Sequence, residues 1–286
     1  MSPIQSIVFS FITLSPVFSQ LSFAAANRPV GETELTARST MGILRFLDFD
    51  DGQGGLGPCT GTLISSDIVL TAAHCVTKVT KKDGSDEILL SQDPVDLRDL
   101  TLSFGSWELK DLFTDKGFSA KWGTKVIAIE VHPDWQNGND IALVKLKTKI
   151  PANNLLGIEP ATLLTNADWI TVGKPTISVG YGIPFTLTSY ETTITHIADS
   201  RFAGIYEDET GANGAVYRGY SGGGAYGSLR DQTFVWGVCA RADGDLTKHD
   251  YWVNYQSVPY YLSWIQQTIR KMDGDENLKF ISDSIP

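Results

Sequence analysis

The sequence predicts an all-β protein that ends in one helix, and three observations lead there. Short runs of β-branched and aromatic residues recur between turns supplied by 27 glycines and 12 prolines, the rhythm of many short strands. With 286 residues and 10% aromatics the chain can bury one large or two medium cores, so two antiparallel β-barrels packed together suit it. A helical period opens at Pro259, a favoured first-turn residue. It repeats apolar side chains at Tyr261, Trp264, Ile265 and Ile269 and meets a stop at Asp273-Gly274.

Taken in order, Ile4 to Phe23 is apolar and serine-rich, and Ala24-Ala25-Ala26 offers the small residues that signal peptidase prefers. Residues 1–26 therefore read as a signal peptide of an exported protein; Pro16 interrupts the run and argues against a spanning helix. Residues 27–41 form a polar lead-in or short propeptide. Residues 42–150 form the first barrel. There, Thr62-Leu63-Ile64 and Ile68-Val69-Leu70 read as a hairpin that delivers Thr71-Ala72-Ala73-His74-Cys75, and Asn139-Asp140 heads a buried strand, Ile141 to Leu146. Between them, Val76 to Leu100 is polar and charged and reads as a solvated insertion on a rigid scaffold. Residues 151–258 form the second barrel, entered through a crossover from Pro151 to Ile170 and carrying Gly219-Tyr220-Ser221-Gly222-Gly223. Residues 259–286 are the closing helix and an acidic tail expected to be mobile.

The chemistry-bearing residues are few. Ser221 sits on a glycine-dense turn, where backbone N–H groups can approach a developing oxyanion. A serine nucleophile needs an imidazole to take its proton, and the imidazole needs a carboxylate to fix its tautomer. His74 and Asp140 supply both types. Of the four histidines, His132, His196 and His249 read as surface residues, and no zinc-binding spacing occurs. Gly222-Gly223-Gly224 lacks the Lys-Ser/Thr of a phosphate loop. No cofactor and no metal are expected. A net charge of −10 excludes nucleic acid and anionic membranes as partners, since Lys78, Lys81 and Lys82 are offset by Asp83, Asp86 and Glu87. Cys239, in an apolar run, reads as a small buried hydrophobe rather than a reactive or metal-binding thiol.

Taken together, Thr71-Ala72-Ala73-His74-Cys75, Asn139-Asp140-Ile141-Ala142-Leu143 and the Ser221 turn resemble the TAAHC, NDIAL and GDSGG patterns of trypsin/chymotrypsin-like serine endopeptidases, in the same order. Cys59-Thr60-Gly61-Thr62-Leu63-Ile64 is similar to the family's CGGTLI, Val179-Gly180-Tyr181-Gly182 to its GWG, His132-Pro133-Asp134-Trp135 to its approach to the aspartate, and Tyr261 to Ile265 to its closing helix. The resemblance covers about Gly42 to Met272. It implies the trypsin-like fold and peptide-bond hydrolysis through an acyl-enzyme. His74, Asp140 and Ser221 would form the catalytic triad, and the backbone N–H groups of Gly219 and Ser221 the oxyanion hole. It also implies a Cys59–Cys75 disulfide, a protein or peptide substrate, and a monomer secreted to the extracellular space or periplasm, with no membrane contact once the signal is removed. Absence of the other disulfides of animal members points to a microbial or otherwise pared-down version. The base of the primary pocket falls on Ala215, followed by Val216, with walls near Ala240, Arg241 and Ala242. Without an acid there, a buried basic P1 side chain would be unpaired, so an apolar or medium P1 is expected over Arg or Lys. Arg241 leaves an acidic P1 open.

Two departures bear on mechanism. The family's aspartate before the serine, which pairs with the new α-amino group after zymogen cleavage, is replaced by Tyr220, and Arg28-Pro29-Val30-Gly31-Glu32-Thr33 is a worn copy of the Arg-Ile-Val-Gly-Gly cleavage site. Tyr220 could order the turn by packing and a hydroxyl hydrogen bond. The alternative from another class is a silent relative that binds a partner through the cleft.

Overall fold

Strands form where the apolar runs predict them, and the sheet faces explain why the runs are so continuous. The computed structural model describes residues 28–29, 35–47, 55–81, 88–103, 123–154, 157–182, 186–205, 219–229, 232–245 and 250–281. Segment 1–26, read as a signal peptide, the expected pocket-base residues Ala215 and Val216, and His249 lie outside these.

After a two-residue strand β1 (Arg28–Pro29) and a short helix α1 (Leu35–Ser39), the first half supplies nine strands. They are β2 (Thr40–Leu47), β3 (Gly55–Leu63), β4 (Ile68–Thr71), β5 (Thr77–Lys81), β6 (Ile88–Pro94), β7 (Leu100–Ser103), β8 (Gly123–Thr124), β9 (Val126–Val131) and β10 (Ala142–Leu146). Seven of them make one antiparallel sheet, in the order β8-β7-β2-β3-β4-β10-β9. The second half contributes β11 (Thr162–Leu163), β12 (Pro175–Gly182), β13 (Thr186–Ile197), β14 (Arg201–Ile205), β15 (Gly224–Leu229), β16 (Gln232–Asp245) and β17 (Asp250–Ser257). Here β12 to β17 run β15-β12-β13-β14-β17-β16, and β15 also pairs with β16, which closes a barrel. Helix α2 (Val258–Lys271) and β18 (Lys279–Phe280) complete the chain. This is the all-β, two-barrel trypsin-like architecture with a C-terminal helix.

Strands β4 and β10 are buried on both faces. Val69, Ala142 and Val144 face the core of the first sheet. Ile68, Leu70 and Leu143 face a second cluster shared with Val179, Tyr226, Val235 and Val238 of the barrel. Two-sided burial requires consecutive apolar residues rather than alternation. A third cluster, with Tyr190, Phe202, Tyr220, Trp236 and Tyr255, fills the barrel itself. Helix α2 lays Tyr261, Ile265 and Ile269 on the shared cluster. At about 1.5–3 kcal/mol for each fully buried large side chain, that one face anchors the helix.

Within the insertion at 76–100, β5 pairs antiparallel with β6, and a 3-10 turn follows at Leu97–Asp99. The β-branched Thr77, Val79 and Thr80 of β5 favour strand despite the surrounding charges. The acidic tail is docked through Ile281 rather than mobile. Asp273 takes a positive φ of 51° to end the helix, and the Asp275 N–H donates to Asp67 Oδ1 at 2.8 Å. Ser66 Oγ donates to Asp275 Oδ2 at 2.6 Å, and β18 pairs in parallel with β11. Specific donors hold the acids, and Ile281 is buried, so the acidic composition did not mean a solvated tail.

Candidate active site

His74 is placed by a 3-10 turn, Ala73–Cys75, at the end of β4, and is 5% exposed. Asp140 grips it twice: Oδ1 accepts the His74 backbone N–H at 2.9 Å, and Oδ2 faces Nδ1 at 2.6 Å. A carboxylate only accepts, so Nδ1 carries a proton, and in the neutral ring Nε2 is the acceptor. The Asp140 approach is itself tied down. Tyr261 Oη lies 2.6 Å from Asn139 Oδ1 and 2.9 Å from Gln256 Oε1, while Gln256 Nε2 donates to the Gly138 carbonyl at 3.0 Å. The His132 ring is half-buried and packs edge-on against Tyr261.

The His74 turn is held from its C-terminal side by two further devices. Cys59 and Cys75 form a disulfide. Arg45, 6% exposed on β2, donates through Nη1 to the carbonyls of His74 at 2.7 Å and Thr77 at 2.8 Å. Burial pulls its pKa down to about 10, so it stays charged at neutral pH. The two cysteine sulfurs and His74 cluster closely, but the sulfurs are bonded to each other and offer no thiolate to a metal.

Ser221 lies beside this turn. The Cys75 Sγ is 3.7 Å from His74 Nε2 and 3.4 Å from the Ser221 carbonyl, so the imidazole and the Ser221 turn flank one sulfur atom. The turn is shaped by Gly219 at φ 103° and Gly222 at φ 82°. A Cβ on Gly222 would stand 2.1 Å from Thr71 Oγ1 and 2.3 Å from the Thr60 carbonyl, so glycine is required there. The Gly222 N–H is taken by the Cys239 carbonyl at 2.7 Å and the Gly223 N–H by the Tyr220 carbonyl at 2.9 Å. Among the described residues, the N–H groups of Gly219 and Ser221 have no backbone acceptor.

Tyr220 is fully buried. Its hydroxyl bonds that of Thr188, and its ring meets Tyr190 edge-on with centroids 4.8 Å apart. The backbone of β1 lies nearby, with Pro29 opposite Thr188 and Arg28 opposite Ser189. Cys239 is a buried free thiol, its Sγ 3.7 Å from Tyr190 Oη, and burial pushes its pKa up to about 12. It is inert, as expected of a small hydrophobe. Of the residues expected to wall the pocket, Ala240 is buried and Ala242 half-buried, while the exposed Arg241 pairs through Nε with Asp243 at 2.9 Å.

The sequence matches the trypsin family over residues 49–265. The chain belongs to the trypsin family. It is 27% identical over 270 residues to serine protease SSP1 of Scolopendra subspinipes, covering 86% of this chain and 85% of that one. It is 27% identical over 170 residues to a chymase of Cavia porcellus, covering 58% of this chain and 57% of the relative. This trypsin-family chain is a serine endopeptidase, a hydrolase. Sequence reasoning missed Arg45, Thr60 and Thr188 as neighbours of its site. Arg45 had a signal: a lone cation at an inward position, two residues after Ile43, in a strand whose Met41, Ile43 and Leu44 are apolar and buried. Thr60 stood in plain view as a departure from the family's Cys-Gly-Gly.

Proposed function

We propose that Ser221, His74 and Asp140 are the catalytic triad of a secreted endopeptidase that prefers apolar or medium P1 residues. The double grip of Asp140 on His74 carries the reading, because in the neutral ring it leaves Nε2 unprotonated on the side of the Ser221 turn. Ser221 Oγ bonds to the scissile carbonyl carbon while its proton passes to Nε2, and the carbonyl electron pair moves onto oxygen. The N–H groups of Gly219 and Ser221 receive that oxyanion. The imidazolium then protonates the departing amine as the C–N bond breaks and the carbonyl re-forms; a water molecule, deprotonated by the same nitrogen, bonds to the acyl carbon, and the imidazolium returns that proton to Ser221 Oγ as the acyl C–Oγ bond breaks and the acid leaves. Tyr220 orders the turn through packing and its bond to Thr188, without a buried ion pair. The Arg241–Asp243 pair offsets the cation near the pocket wall and favours an apolar over an acidic P1. Secretion rests on the signal-like segment 1–26; among the described residues no helix is long and apolar enough to cross a membrane.

Labelling by a fluorophosphonate tests the reading. The wild-type protein should react and Ser221→Ala should not, and peptides with Phe, Leu or Ala at P1 should turn over faster than those with Arg or Lys. A folded wild-type protein that stays unlabelled at pH 8 would sink the triad, and faster cleavage after Arg would sink the specificity.

A further inference from the structure

The turn that carries Ser221 belongs to the second barrel, yet it is fastened by a side chain of the first. Thr60, on β3 and fully buried, uses every polar atom it has. Its N–H donates to the Ser221 carbonyl at 2.8 Å. Its Oγ1 donates to the Gly219 carbonyl at 2.6 Å and accepts the Tyr181 N–H at 3.0 Å. Its own carbonyl accepts from Thr71 Oγ1 at 2.8 Å.

These bonds fix successive peptide planes. The Gly219–Tyr220 plane is held by the Thr60 hydroxyl, and the Tyr220–Ser221 plane by the Gly223 N–H on the Tyr220 carbonyl. The Ser221–Gly222 plane is held by the Thr60 N–H and, from the other side, the Cys239 carbonyl. The direction of the Ser221 N–H is set within the middle plane, so it is only as well defined as the planes on either side. Gly219, with its positive φ, would otherwise be the loosest residue of the turn. The family pattern CGGTLI has glycine where Thr60 stands and offers no side chain for this task.

We propose that Thr60 is a positioning residue whose hydroxyl, reaching across from the first barrel, locks the Gly219–Tyr220 peptide and so preorganises the oxyanion site. The proposal rests on Ser221 being the nucleophile. An oxyanion site is effective only when its donors are already aimed, and a displacement on the order of 1 Å costs about 100-fold in rate. Loss of a positioning hydroxyl should therefore cost about 10- to 100-fold.

The test compares fluorophosphonate labelling of the full protein with Thr60→Val, Thr60→Ala and Thr60→Ser, resolving the maximal rate of inactivation from the inhibitor concentration at half-maximal rate. Val and Ala should lower the maximal rate about 10- to 100-fold and leave the half-saturating concentration within about threefold. Ser, which restores the hydroxyl, should label within about threefold of wild type. If Val fails to fold, Ala and Ser carry the comparison. Wild-type labelling in the folded variants without the hydroxyl, or a Ser variant as slow as Ala, overturns the role of Thr60 alone. A wild-type protein that does not label at all overturns the nucleophile and Thr60 together.

Discussion

The substitution Asp140→Asn exchanges a carboxylate oxygen for an amide nitrogen and should reverse the sense of the histidine. The carboxylate now serves two donors of different kinds. One, the His74 backbone N–H, cannot change its role; the other, Nδ1, can. The introduced carboxamide would have one oxygen and one NH2 group. The oxygen is claimed by the fixed backbone donor, because turning the NH2 toward it would set two donors face to face and leave a buried N–H unpaired, at about 1–3 kcal/mol. The NH2 must then face Nδ1, which becomes an acceptor, and the imidazole proton moves to Nε2, where the base should be. A triad with the wrong tautomer loses about 10⁴ in kcat, or about 5 kcal/mol of transition-state stabilisation at 1.36 kcal/mol per tenfold. KM should hold, since Asp140 touches no substrate, and the fold should survive because size and most bonds are kept. Initial-rate kinetics on a chromogenic peptide, with fluorophosphonate labelling in parallel, would show it. An Asn variant that keeps more than a tenth of wild-type kcat would refute the orientation argument.

Further outcomes follow from the same geometry. Arg45→Met should lower kcat about tenfold while shifting Tm by no more than about 10 °C. Keeping the guanidinium charged at a pKa lowered to about 10 from 12.5 costs about 3 kcal/mol, which offsets much of its two carbonyl bonds at about 1.5–3 kcal/mol each. Because the folded-state pKa is the lower one, that cost applies below pH 10 and fades as pH rises from 10 toward 12.5. Calorimetry that finds the variant largely unfolded at 25 °C would make Arg45 a stabilising residue first. Tyr220→Phe should keep the fold and lose about tenfold or less in labelling rate. Chains beginning at Asn27 or Val30 should differ by less than tenfold, and a hundredfold advantage for either start would mean that a free terminus is inserted after all.

The reach of the sequence follows from how local each feature is. His74, Asp140 and Ser221 each sit in a short motif that a linear reading can see, as does the α2 period at Tyr261, Ile265 and Ile269. The walls of β4 and β10 were legible too, because two-sided burial leaves unbroken apolar runs. What stayed hidden depends on side chains meeting across the fold: Thr60 on Gly219, Arg45 on the His74 carbonyl, Thr188 on Tyr220. A threonine in a strand is ordinary by composition, and nothing nearby in sequence marks its partner. The docked tail failed for the same reason, since Asp275 reads as solvated until Ser66 and Asp67 are brought beside it.

The contact of Tyr261 with Asn139 has a consequence in time as well as in space. The loop that presents Asp140 is braced by helix α2, late in the chain, and the Ser221 turn is braced by β3 near the start of the first sheet. A ribosome delivers the chain from its N-terminus, so a partly emerged molecule can hold the first sheet with His74 and Asp140 in it and still lack both the Ser221 turn and the brace on the Asp140 loop. Proteolytic capacity would then appear late and all at once, when α2 docks, and a chain cut short before that helix would be inert toward the cell that makes it.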